Sequence, residues 1–118
     1  MMMLWRAACV ALGTWSAAVA FGACAHSGTA DYCGPELLRL LYVDGSGVVY
    51  VQPTTSLSPT PPGFACTPVI GTYFVLVPSS PNFKQIYAAL LSARISAAPV
   101  TLVADPAYST CTILYVTL

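Results

Sequence analysis

Four cysteines, Cys24, Cys33, Cys66 and Cys111, follow an apolar leader in this 118-residue sequence, and the way they pair limits the folds open to it. An even number of cysteines in a small chain behind an export-type leader reads as two disulfides. Three connectivities are open. The favoured one joins Cys66 to Cys111 and Cys24 to Cys33. The long link would close the middle of the chain onto its last β run, worth about 4 kcal/mol in the chain-entropy account. The short link would staple the N-terminal segment to the start of the first strand. Zinc is the competing use of cysteine, but C-x-x-C and H-x-x-x-H spacings are absent and the single histidine, His26, is assigned to a tail. No metal and no cofactor is therefore expected.

The leader itself sets the compartment. Met1 to Arg6 ends on one positive charge, and Ala7 to Ala23 is an apolar run broken only by Gly13, Thr14, Ser16 and Gly22. This is the pattern of a secretory signal peptide. Ala18-Val19-Ala20 offers cleavage before Phe21, and Ala23-Cys24-Ala25 offers it before His26. The organisation expected is thus a signal peptide over residues 1–20, with cleavage as late as 25 as the variant, a tail over 21–35 and one domain over 36–118. Cys9 would leave with the leader. Two other readings stand beside this one: an uncleaved anchor of about the minimum spanning length, and a lipoprotein with its lipid on Cys24 of Phe21-Gly22-Ala23-Cys24. All three make the protein secreted, periplasmic or held at the envelope, with membrane contact only through the leader or a lipid.

The chain is 57% apolar, with only four basic and four acidic residues. Outside the leader Arg39, Lys84 and Arg94 face Asp31, Glu36, Asp44 and Asp105. No basic patch exists, so nucleic acid is excluded as a partner. So little charge on so apolar a domain makes a buried homo-oligomer interface a reasonable expectation.

Along the chain, Leu37–Val43 and Val48–Gln52 flank Asp44-Gly45-Ser46-Gly47, a hairpin signal. Prolines at 53, 59, 61, 62 and 68 exclude a central strand or helix, and 52–62 reads as an extended surface loop. A third strand is expected over Val69–Val77. Ser80 as N-cap and Pro81 at the first helical position predict a helix to about Ser96, with Phe83, Ile86, Tyr87, Leu90, Leu91 and Ala93 on its apolar face. Arg94 near its C-terminal end complements the helix dipole. Val100–Val103 and Thr110–Leu118 supply the last strands. Simple alternation puts Cys111, Ile113, Tyr115 and Thr117 on one face of the final run. The order β-β-β-α-β-β makes the fold mostly β with one helix: an OB-like five-stranded Greek-key barrel plugged by the helix, or, as the rival, a single α+β sheet with the helix on one face.

The run of Cys33-Gly34, Gly47-Val48-Val49-Tyr50-Val51, Cys66, Ile86-Tyr87-Ala88-Ala89-Leu90-Leu91-Ser92-Ala93, Pro99-Val100-Thr101-Leu102 and Cys111 resembles small secreted bacterial proteins related to the B subunits of AB5 toxins, of the subtilase-cytotoxin and typhoid-toxin type. The resemblance spans about Cys33 to Leu118. It implies an OB-fold, a pentameric ring, a cell-surface glycan as ligand and a toxin-like A subunit as partner. Those B subunits use a serine and an acidic residue near the first strand to hold sugar. Asp31 and Glu36 lie in a comparable stretch here without a matching serine, so no glycan-binding residue is carried across.

Catalytic signatures are missing. The sequence lacks a Gly-x-Ser-x-Gly elbow, a phosphate-binding Gly-rich loop and any paired acid–base motif, and turns account for Asp44 and Asp105. The expected function is non-enzymatic binding or assembly. A structural envelope domain without a small ligand is the alternative, and a small secreted hydrolase or inhibitor the third reading. Tyr42, Tyr50, Tyr73, Tyr87, Tyr108 and Tyr115 could stack on sugars, although tyrosine is an ordinary strand residue. Tyr108, in the last loop, is the first candidate for a ligand contact.

Overall fold

The structure, a computed structural model, describes residues 23–118. The signal-peptide and anchor readings, Cys9 and the cleavage point before Phe21 lie outside the described residues. Within them the chain forms seven strands and one helix. They are β1 (Cys24–Ser27), β2 (Ala30–Glu36), β3 (Leu38–Val43), β4 (Val49–Pro53), β5 (Phe74–Leu76), α1 (Phe83–Ser96), β6 (Val100–Ala104) and β7 (Ile113–Thr117). They build two antiparallel sheets, ordered β1-β2-β6-β7 and β3-β4-β5. The mostly-β class with one helix holds. The sheets are not closed into a five-stranded barrel, and they are two rather than one.

The stretch assigned to a tail is where the fold begins. Ser27 and Ala30 pair across a two-residue loop whose first residue, Gly28, has φ +63°. Glycine occupies such a left-handed position without steric cost, and this is the hairpin geometry that favours it. The hairpin is bound across its width by a disulfide between the directly opposed Cys24 and Cys33. With its sulfur in that bond, Cys24 has no thiol left to carry a thioether lipid.

β2 then crosses into the second sheet. Only Leu37 separates it from β3, so one nearly continuous extended segment pairs first with β6 and then with β4. The crossing depends on Gly34. Its φ is +135°, and a Cβ there would stand 2.6 Å from the Thr101 Cα and 2.7 Å from the Val100 carbonyl oxygen. Only a residue without a side chain lets β2 and β6 approach this closely.

Between the sheets lie Val49, Val51, Phe74, Leu76, Val100, Leu102 and Ile113, all buried, and α1 adds Ile86, Leu90 and Ala93 from one face. The helix packs on β3 and β7. It starts later than expected: Asn82, at φ +59° and without a side-chain cap, precedes it, and Ser80 instead accepts the Phe83 N–H in a preceding turn. Pro81 thus lies just outside the helix.

Three further expectations change. The Val69–Val77 run is a strand only at Phe74–Leu76, because Ile70 (φ +55°) and Gly71 (φ +67°) turn the chain back on itself and Val69 pairs with Tyr73. The proline-rich 52–62 segment is not wholly a surface loop: Pro53 ends β4, and Leu57 is buried in the core. The alternation of the final run is broken by an irregularity opposite Val103 and Ala104. Cys111, Thr112 and Ile113 are all buried, while Tyr115 is exposed.

Gly34→Ala should therefore lose about 2 kcal/mol or more in urea unfolding, through strain and backbone contact. Gly45→Ala, with no heavy atom within 4 Å of the added Cβ, should change stability by less than about 0.5 kcal/mol.

Candidate functional site

Tyr42 and Tyr50 each lie four residues from Ser46, the middle of the turn, and the β3–β4 register makes them direct partners. Cross-strand partners in an antiparallel pair project from the same face. Their rings lie parallel, with centroids 4.6 Å apart and an interplanar angle of 5°. Tyr73, one residue before β5, sets its ring edge-on to both, at 5.7 Å and at 85° and 81°. Val49 and Val51 alternate with Tyr50 and point inward, so the rings belong to the outward side of the sheet. Tyr42 is 37% exposed.

Asp44 joins the cluster to the turn. Its Oδ1 accepts the Ser46 N–H (2.8 Å), the Ser46 hydroxyl (2.6 Å) and the Val48 N–H (3.1 Å). Its Oδ2 accepts only the Tyr50 hydroxyl, at 3.1 Å. The Ser46 hydroxyl, above all, holds the Asp44 carboxyl below its ordinary range, with further help from the Ser46 amide, Tyr50 and the Val48 amide against a smaller opposing effect of desolvation. Donation to Asp44 in turn pushes the Tyr50 phenol up, and burial adds to this. Burial raises the Tyr42 phenol, with Tyr73 and Asp44 contributing. Chemically this is an aromatic platform beside a carboxylate oxygen with acceptor capacity to spare.

Tyr108 lies elsewhere. It is 46% exposed at a cleft of about 230 Å³ shared with Thr29, Asp31, Asp105 and Ser109. Asp31 there is already engaged: Oδ2 accepts the Ala65 and Cys66 N–H groups at 2.8 and 2.7 Å, and Oδ1 meets His26 Nδ1 at 2.6 Å. His26 is thus a β1 residue tied to β2 rather than part of a loose tail. Asp105 caps its own turn, accepting the Ala107 N–H at 2.9 Å. Of the other tyrosines, Tyr87 stacks on Phe83 along α1, and Tyr115 is exposed on β7. The structure does not bring Tyr108 into the aromatic cluster.

The second disulfide, Cys66–Cys111, bounds this region. Two disulfides point to an oxidising environment for the folded chain. Among the described residues no three His, Cys, Asp or Glu side chains gather as a metal site. No protein-family model, no curated protein and no solved structure matches the chain.

The Tyr42–Tyr50 pairing was the signal available in the sequence: two aromatics equally spaced about a hairpin turn. It needed the turn length to be read.

The Asp44 carboxyl should titrate below the ordinary aspartate range near 3.9 in carbon-detected NMR, and Ser46→Ala should move it back up. The Asp44 contribution to hairpin stability is then fully present above the unfolded-state value and lost as pH falls through the depressed folded one. Tyr50 behaves oppositely: its contribution is present below the ordinary tyrosine value near 10 and lost as pH rises through its raised one.

Proposed function

We propose that the chain is an exported, non-enzymatic saccharide-binding module on an OB-like plan, related in role to the B subunits of AB5 toxins. One observation carries the ligand class: three tyrosine rings gathered on an outward sheet face next to a carboxylate with an underused oxygen. A pyranose has an apolar C–H face that packs on an aromatic ring and hydroxyls that donate to a carboxylate, so both halves of the platform have work in the same ligand.

The OB-like reading is supported by chain order. The β2–β3 segment pairs with both β6 and β4, and the helix stands between β5 and β6. Parallel bridges join Val75 to Thr112 and Thr67 to Thr110, at the seam where a barrel of this plan would close. Secretion or a periplasmic location is supported by the leader sequence together with the disulfides. Self-association is supported by Leu114, Tyr115 and Leu118, apolar and exposed on or beside the outer strand β7. A ring of such copies would present several tyrosine platforms, so weak sites would act together.

Glycan-array screening of the oxidised protein, followed by titration of a hit, tests the reading. Binding should weaken about tenfold in Tyr42→Ala, the scale of one lost aromatic contact, and remain in Tyr108→Ala. Absence of any saccharide signal, or binding indifferent to Tyr42, contradicts it.

A further inference from the structure

A second cleft, of about 390 Å³, opens where β2 crosses into β3, lined by Glu36, Leu37, Thr54, Thr55, Ala97 and Pro99. Glu36 is 1% exposed. Its carboxylate is held by one residue: the Thr55 N–H donates to Oε1 at 3.1 Å and the Thr55 hydroxyl to Oε2 at 2.6 Å. No cation joins it. Among the described residues the only basic and acidic side chains within 4 Å of each other are His26 and Asp31, and Arg94, on the last turn of α1, makes no contact of that kind with Glu36.

The donors of Thr54, Thr55 and Ala97 around the cleft are already committed. The Thr54 N–H and hydroxyl both go to the Leu37 carbonyl, at 3.2 and 2.5 Å. Both Thr55 donors go to Glu36. The Ala97 N–H bonds the Ala93 carbonyl, and Pro99 has no N–H. What is left is acceptor capacity: two neutral donors do not exhaust the lone pairs of a carboxylate. Ala97 is also the C-cap of α1, so the negative end of the helix dipole stands at the same wall. The remaining lining, Leu37, Ala97 and Pro99, is apolar.

We infer that this cleft binds a small organic cation, a primary alkylammonium ion, with its nitrogen on the Glu36 carboxylate and its hydrocarbon chain against Leu37 and Pro99. A buried carboxylate without a cation is an incomplete arrangement, and an ammonium group brings both the opposite charge and the donors that the cleft lacks. An anion would face the Glu36 carboxylate and the negative end of α1. The site is separate from the tyrosine platform and stands whether or not that platform binds sugar.

The test is a ¹H–¹⁵N NMR titration of the oxidised chain with n-butylammonium, with n-butanol as the uncharged match. Shifts should centre on Leu37, Thr54, Thr55 and Ala97, and the ammonium should bind at least about tenfold tighter than the alcohol. E36Q should remove that preference while leaving alcohol binding. Should E36Q fail to fold, Leu37→Trp, at an exposed rim position, should weaken both ligands by narrowing the mouth. Equal binding of amine and alcohol to the unaltered chain overturns the inference, as do shifts centred elsewhere or a folded E36Q that still prefers the amine.

Discussion

Asp31 is the joint on which the architecture turns. It sits in β2, buried, and its carboxylate reaches in two directions. One oxygen accepts the consecutive N–H groups of Ala65 and Cys66, in the segment between β4 and β5. The other binds His26 on β1. Cys66 is at the same time bonded to Cys111, which leads into β7. A single side chain thus connects the edge hairpin of one sheet to the loop that feeds the other, beside the covalent link that fixes that loop to the last strand. Backbone bonds extend the seam: Thr67 donates to Ser109, Cys111 donates to Thr67, and Val75 donates to Cys111. Burying a carboxylate is costly unless its lone pairs are met, and here three donors meet them.

Glu36 performs a parallel task five residues further along the same strand segment. It fastens the segment after β4 to the crossing point through Thr55, while Thr54 fastens it to Leu37. Both buried acids of β2 therefore hold non-regular chain to the sheet. They differ in what surrounds them: Asp31 is met by donors from two segments, whereas Glu36 is met by one residue and lies on an open cleft. The tyrosine cluster depends on neither. Its stacked pair is a product of the β3–β4 hairpin, whose turn is organised by Asp44, and Tyr73 is added from the segment before β5, so candidate ligand chemistry lies on this sheet face and the stapling chemistry lies at the seam.

What the sequence made legible follows from how local each signal was. The Asp44–Gly47 hairpin and the helix through Leu90 and Ala93 rest on turn residues and periodicity, both of which act over a few positions. The β1–β2 hairpin was obscured because Cys24–Ser27 carries no alternating apolar pattern. It is held by a disulfide, by the Asp31–His26 contact and by pairing of β2 with β6, none of which shows as a periodic pattern. The strand expected from Val69 was too long because a left-handed Ile70 goes against the β preference of an apolar run. Facing in the last strand was misread because the irregularity in β6–β7 pairing shifts the inward side by one residue. The tyrosines of the candidate platform are visible in the sequence, but their gathering required the register, and Tyr73 joins them because Val75, two residues on, pairs with Tyr50.

The joint at Asp31 is best tested by equilibrium urea unfolding of Asp31→Ala in the oxidised protein. The substitution leaves the Ala65 and Cys66 N–H groups without their acceptor and keeps both disulfides. Two orphaned donors predict a loss of about 2–5 kcal/mol relative to the unaltered chain. A loss under about 0.5 kcal/mol would contradict the account, and would leave the Cys66–Cys111 link and the backbone bonds of the seam as the joint between the sheets.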